Sequence, residues 1–367
     1  MEQLSGPSML VLVGDRSGPS LWRALQPITA LEQRGYPCGW DLKDAAGIGT
    51  IAPFFDAYLL PRLSWQPEHR HLAVQWFAQL RAVGKTVIYD LDDDLLTPHL
   101  VERVIGLGQT EGKSPARLEA ERLERVWALQ QCDGVTVSTQ RLATVVRGYT
   151  DRPVVVVPNA IDVPWFRRVL RTAPRQIRGL TIGWAGGLRP GADVEPMAVA
   201  WGRLAARYQD VTFVVCGYVP AVFREQVPVA RLVTIPWLPI ESYPLALAEL
   251  DIACAAVSDT PFNRCKSVIK AYEASVAGSA VVASPTLYRA VIEHGVNGYL
   301  AETADEWETA LAELVERPAL RRMLATRLLR HVERHCSLRE NLWRWPAAWQ
   351  QIAEDARARR GRGIVVA

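Results

Sequence analysis

The sequence predicts an α/β protein built from two doubly wound, Rossmann-like domains. Three observations carry this. Short apolar runs of strand length alternate with longer capped segments of helical character along most of the chain. Residues 251–300 read as strand, polar loop, helix and strand, which is one parallel crossover. The length of 367 residues suits two domains of ordinary size. With 49% hydrophobic and 22% charged residues, each domain can bury a core, while a net charge of +3 is too small to argue for a nucleic-acid binder. The expected division is 1–170, 171–340 and a returning C-terminal segment 341–367.

Strand one is expected at 9–13, followed by the turn GDRSGPS, with Ser20 capping a helix over 21–34. A glycine turn between strand and helix lets a ligand approach the backbone, so Gly18, Ser20 and Arg23 are candidate contacts. A strand at 57–60 and a helix at 71–83 lead into KTVIYDLDDDLL, where strand 86–89 is followed by Asp90, Asp92, Asp93 and Asp94. Four crowded acids need solvent, a cation or a donor group nearby. They read as a general base or sugar-hydroxyl acceptor, as a metal-binding D-x-D, or as a helix cap, with Asp92 and Asp93 the catalytic candidates. Residues 99–116 hold three glycines and a proline and read as a mobile loop. A helix at 117–131, a strand at 135–138, a helix from Thr139 and the run VVVVPNAIDVPWF complete the first half.

Residues 167–178 read as a basic linker. Strand 180–184 then meets AGGLRPGADVEPM, where Gly186 and Gly187 uncover backbone amides before a helix near Val194. A helix start with free N–H groups suits a diphosphate, and Arg189 adds a two-pronged cation. Strands at 211–216 and 232–235 and a helix at 243–250 lead to the crossover. There strand 252–257 is followed by a loop, a helix capped by Ser267 and ended by Gly278, and strand 280–284. Ligands sit beyond the carboxyl ends of parallel strands, which gathers Asp259, Asn263, Lys266, Lys270 and Glu273 around one crevice. Lys266 and Lys270 are spaced to share a helix face. Helices at 304–314 and 318–335 follow, the second rich in arginine, and the tail RARRGRGIVVA is expected to fray.

The segments FNRCKSVIKAYEASVAGSAVVAS and EHGVNGYL resemble the donor-binding region of the group 1 glycosyltransferases, which have the GT-B fold. VSTQRLA and VPNAID resemble the end of that family's first domain, and NLWRWPAAWQQI its last helix. The resemblance implies two Rossmann-like domains facing each other across a cleft, with the last helix crossing back to the first domain and Trp343, Trp345 and Trp349 acting as glue. It also implies that Glu273 holds the donor ribose and that Gly18, Gly186 and Gly187 line the donor. A second family carboxylate, which touches the sugar, corresponds here to Cys265, and Asp259 or the Asn263 backbone would take over that contact. In the family, backbone after strand 232–235 reads the nucleobase, so Trp237 is either a stacking partner or a core residue.

The implied reaction moves a sugar from a UDP- or GDP-linked donor to a hydroxyl, with retention, using Asp92, Asp93 and Asp259 as catalytic groups and Lys266, Lys270 and Arg189 on the diphosphate. No metal and no obligatory cofactor is implied, because such enzymes offset the leaving diphosphate with helix N-termini and basic side chains. The acceptor is a cell-surface glycan precursor in the first reading and hydroxymethylated DNA in the second, as for phage-encoded relatives. A third reading is a catalytically inactive sugar-nucleotide-binding protein, suggested by Cys265. Six scattered cysteines without a C-x-x-C pair fit a reduced, cytoplasmic protein. No apolar run reaches transmembrane length, which leaves peripheral membrane contact as the only expected kind.

Overall fold

The computed structural model describes residues 5–14, 17–42, 54–63, 65–187 and 190–364, with side chains to 361. Its contacts divide into two compact units. The first comprises Met1–Asn159, Cys265–Ser267 and Asn341–Ala367, the second Ala160–Arg264 and Val268–Glu340.

The first unit holds a sheet of β1 (Met9–Val13), β2 (Cys38–Leu42), β3 (Ala57–Pro61), β4 (Thr86–Leu91), β5 (Gly134–Val137) and β6 (Val154–Val156). All neighbours are parallel, in the order β2-β1-β3-β4-β5-β6. The strand order reverses between β1 and β3, so the crevice beyond their carboxyl ends is the natural ligand position of this sheet. Strands β3, β4 and β5 are buried throughout, as a sheet covered on both faces requires. Trp76 and Phe77 of helix Arg70–Ala82 pack with Tyr58, Tyr89 and Leu129 in the core.

The second unit holds β7 (Leu180–Gly186), β8 (Val211–Gly217), β9 (Leu232–Ile235), β10 (Ile252–Ala255), β11 (Ala280–Ala283) and β12 (Tyr299–Leu300). Again every pair is parallel, in the order β12-β11-β10-β7-β8-β9. Counted from its own first strand this is the dinucleotide-fold order, and its switch point lies between β7 and β10. Trp184, Trp201, Phe213, Phe223 and Trp307 form its core. Truncating one such aromatic to alanine costs about 3–5 kcal/mol.

The last helix, Arg344–Ile364, belongs to the first unit. Trp345 and Trp349 are buried there, whereas Trp343 is exposed, with the Arg344 guanidinium over its ring. The helix lies so close to β5 that a Cβ on Gly134 would fall 2.5 Å from Cγ2 of Ile352. It runs to Ile364, so most of the tail expected to fray is helical. Arg359 donates to the Asp133 carbonyl (2.7 Å) and Arg360 reaches the Lys85 carbonyl (3.3 Å), which holds the last turns down.

Several expectations are corrected. Residues 99–116 are not one loop: His99–Gly106 is a helix laid against helix Pro115–Gln131, which Ser114 caps. The linker expected at 167–178 begins as helix Val163–Leu170, capped by Asp162 with a proline in its first turn. That helix packs on Tyr243–Ala248 and Ile269–Ala277, which is why the contact boundary falls after Asn159 and not at 170. The first helix opens at Gly18 instead of 21, because Pro19 suits a first turn, and it passes through a π turn at Leu21–Leu25. The edge strands β2 and β12 went unread in the sequence, being short and in part exposed.

Candidate functional site

In the second unit the carboxyl ends of β7 and β8 are made of glycine. Gly217 has φ +94, and a Cβ there would lie 2.6 Å from the Gly186 carbonyl oxygen. The two strand ends can approach this closely only with glycine at 217. Gly187 follows at the edge, and the indole of Trp237 lies 3.6 Å from where its Cβ would be. Trp237 is 71% exposed, which removes the core reading and leaves an open aromatic face beside the glycine edge. Arg189 lies outside the described residues. The helix after this turn, Glu195–Arg207, carries Glu195 in its first turn, and Pro196 removes one of its amides.

At the other side of the switch point stands Glu273, 1% exposed, on helix Ile269–Ala277. The Tyr243 hydroxyl donates to its Oε2 (3.1 Å), and Lys270 Nζ lies 3.0 Å from the same oxygen. Lys270 also donates to the Tyr243 hydroxyl (2.7 Å) and sits over its ring. Burial, reinforced by the Glu273 charge, lifts the Tyr243 phenol well above its usual range, so it stays a donor. Sequence reasoning missed Tyr243, although its place at the start of helix Tyr243–Ala248 is fixed by Pro244.

Asn263 is wholly buried and donates to Asp193 Oδ1 (2.9 Å) and to the Ser258 carbonyl (3.0 Å). Ser258 also donates to Asp193 through its amide and hydroxyl. Asn263 thereby fixes the loop after β10 to the turn Gly191–Asp193. Asp259 is half exposed and gripped by both prongs of Arg264 at 2.6 Å, and that hydrogen bonding holds its carboxyl below the ordinary range. Asp259 is thus a surface ion pair.

Residues Cys265–Ser267 belong to the first unit. The Cys265 side chain is buried in the core that also contains Leu142 and Ala143, and burial pushes its thiol up to about 12. Its carbonyl accepts from the Thr139 hydroxyl (2.9 Å), and the Ser267 hydroxyl accepts from Asn159 (2.9 Å). Ser267 therefore caps no helix. The helix starts at Ile269, so Lys266 and Lys270 do not share a helix face as expected. Lys266 instead puts its charge on Asp93, while Lys270 serves Glu273.

The four-acid run at the end of β4 separates into distinct roles. Asp90 lies inside the strand, fully buried, paired with Arg23 at 2.6 and 3.0 Å and accepting from Thr136 (2.6 Å). Arg23 comes from the π turn, also donates to Asn159 (3.0 Å), and stacks on Trp345. Arg23 is buried, and the partners described hold it inside the first unit. Asp94 folds the loop instead of capping a helix: its carboxylate accepts from the amides of Leu96 (3.2 Å) and Thr97 (3.1 Å), while the next helix starts after Pro98 with no side-chain cap. Asp92 and Asp93 remain, and both are held by Arg62, Asp92 through Nε and Asp93 through Nη2 at 2.7 Å. Arg62 follows β3 with φ +51, a left-handed conformation that costs a non-glycine residue about 1–2 kcal/mol. Its amide donates to the Asp90 carbonyl (2.9 Å), and Ser138 donates to the Asp92 carbonyl (3.1 Å). Burial raises the Asp92 carboxyl despite Arg62. For Asp93 burial acts the same way, but Lys266 and Arg62 outweigh it and lower the carboxyl.

Residues 179–317 match the family model described as glycosyl transferases group 1. This glycosyltransferase match covers most of the second unit, including both sides of its switch point. No sequence among the curated proteins matches the chain. The sucrose-phosphate synthase of Thermosynechococcus elongatus has a similar structure, with TM-score 0.62 at 12% identity over 94% of this chain and 98% of that one. HepE of Anabaena, in complex with UDP-glucose, gives TM-score 0.58 at 16% identity over 96% and 100%. TarM of S. aureus, in complex with fondaparinux, α-GlcNAc-glycerol and UDP, gives TM-score 0.56 at 11% identity over 80% of this chain. The chain spans about half of TarM, 55% of its length. At these identities the likeness establishes the fold: two parallel six-stranded sheets with flanking helices, as in GT-B glycosyltransferases.

Proposed function

We propose that this protein is a glycosyltransferase that moves a sugar from a nucleoside diphosphate sugar to a hydroxyl of a glycan acceptor. The observation that carries the reading is the switch-point edge of the second unit. There the glycine strand ends, the exposed Trp237 and the buried Glu273 meet the segment that matches the family model. On this reading Glu273 accepts the ribose hydroxyls, with Tyr243 and Lys270 fixing its orientation. Gly187 brings backbone to the diphosphate, and Trp237 stacks on the base. Lys270 supplies positive charge on this edge. Asn263 shapes the loop that would meet the sugar.

The first unit supplies the acceptor side, with Asp92 and Asp93 as its reactive groups. Charge builds on the diphosphate as the glycosidic bond breaks, and fixed dipoles and cations stabilise it best in a dry site. UDP is the favoured nucleotide, because HepE and TarM are described in complex with UDP compounds. Retention is part of this reading, and the group 1 likeness supports it.

The test is a thermal-shift series with UDP-glucose, UDP-GlcNAc and GDP-mannose, followed by assay of donor consumption. A donor at a hundred times its Kd should stabilise the fold by about 2.7 kcal/mol. A melting point indifferent to all three donors, with none consumed, overturns the proposal.

A further inference from the structure

Arg62 occupies a particular place in the first sheet. It follows β3 directly, and β3 flanks the switch point of that sheet. Its left-handed φ, unusual outside glycine, turns the side chain from the end of β3 onto the end of β4. One guanidinium then grips two carboxylates that are neighbours in sequence, by different prongs. A fork normally takes both oxygens of one carboxylate. Here it holds two groups in one arrangement and supplies the positive charge that a divalent ion would give such a pair. The surroundings of the pair are unequal. Asp92 is the more buried and faces Arg62, Asp93 and, farther off, Arg23. Asp93 is more open and faces Lys266, Arg62 and Arg103.

We propose that Arg62 is a positioning residue for sugar transfer, its fork fixing Asp92 as the group that takes the acceptor's proton and Asp93 as a permanent anion beside it. This rests on the transferase reading given above. In the step, the acceptor oxygen bonds to the anomeric carbon on the face the diphosphate leaves, so that configuration is retained, and its proton passes to the Asp92 carboxylate. The bond from that carbon to the diphosphate breaks, and its electron pair leaves with the diphosphate. Asp92 then returns the proton to solvent. Buried carboxyls that hold protons unequally are suited to such division of labour, and the direction of the two shifts agrees with it.

The experiment is a carboxyl-carbon NMR titration of the full chain labelled at aspartate, for wild type, Arg62→Gly and Arg62→Lys. Glycine accepts the left-handed backbone, so this variant keeps the fold while losing the fork. In wild type Asp92 should be the last of the pair to lose its proton. In Arg62→Gly both carboxyls should bind protons at least tenfold more tightly, with Arg62→Lys between. With UDP-glucose as the probe, the acid limb of kcat for donor hydrolysis should move to higher pH in Arg62→Gly, with KM unchanged. Titrations unchanged in Arg62→Gly overturn the role of Arg62 even if the enzyme is active. Shifted titrations with an unmoved acid limb overturn its link to transfer. A wild type that consumes no nucleotide sugar overturns the transferase reading and the positioning role together.

Discussion

The two sheets share a parallel architecture, yet their carboxyl edges are built in opposite ways. The edge of the second sheet is lined by glycines, an exposed indole and one buried glutamate. The edge of the first is crowded with carboxylates, each already engaged by arginine, threonine or backbone amides. Space and uncovered backbone at Gly186, Gly187 and Gly217 suit a bulky anionic ligand. A locked set of carboxylates suits a small reacting hydroxyl, which needs fixed geometry more than room. Sheet order alone would predict similar ligand sites; the residues at the strand ends set them apart.

That contrast can be broken most forcefully at the buried pair. Asp90→Ala leaves Arg23 charged in a dry site and should cost about 3–5 kcal/mol, read from urea denaturation. Asp94→Ala, which removes only hydrogen bonds to the loop amides of Leu96 and Thr97, should cost about 1–3 kcal/mol. Equal losses at the two positions would contradict the division of the acid run.

On the second sheet, Gly217→Ala must strain a left-handed backbone and meet the Gly186 carbonyl. It should lose roughly 1–3 kcal/mol and weaken donor binding, since the whole edge shifts. Gly278→Ala has a similar φ of +95 but nothing within 4 Å of its Cβ. It should lose stability by a smaller amount and leave donor binding intact.

A third prediction concerns acid. Asp251 is half-buried, which alone would raise its carboxyl, but Arg175 (2.9 Å) and the Thr181 amide (2.9 Å) outweigh this and lower it. A carboxyl lowered in the folded state stabilises fully above the unfolded value, near 3.9. That contribution disappears as pH falls through the folded value. Asp251→Asn should therefore flatten the stability curve below about pH 4 and change little between mild acid and neutrality beyond a constant offset. The smallest effect belongs to Asp259: breaking its surface pair with Arg264 should leave the melting temperature within error, and donor consumption with it.

Much of the fold was legible because buried parallel strands are short apolar runs bounded by turn residues. Thus 9–13 and 232–235 read directly as strands. The helix that carries Glu273 was also legible, through Gly278 at its end. The partition of Asp90, Asp92, Asp93 and Asp94 was not, since four identical side chains differ only in partners such as Arg23 and Arg62, distant in sequence. Lys266 was misread for a related reason. Ser267 looks like a helix cap, but its hydroxyl is taken by Asn159, from more than a hundred residues earlier, and the helix begins later. Helix Val163–Leu170, in contrast, carried a usable signal in Asp162 followed by proline that the basic composition obscured.

The most direct test of the whole account is calorimetric titration of UDP-glucose into three proteins: wild type, Glu273→Gln and Asp92→Asn. The account predicts binding to wild type, a loss of about 10- to 100-fold in Glu273→Gln from one charge-assisted hydrogen bond, and wild-type affinity in an Asp92→Asn protein that no longer turns over. Affinity unchanged in Glu273→Gln, or lost in Asp92→Asn while its fold is intact, would contradict the assignment of donor and acceptor groups to the two sheets.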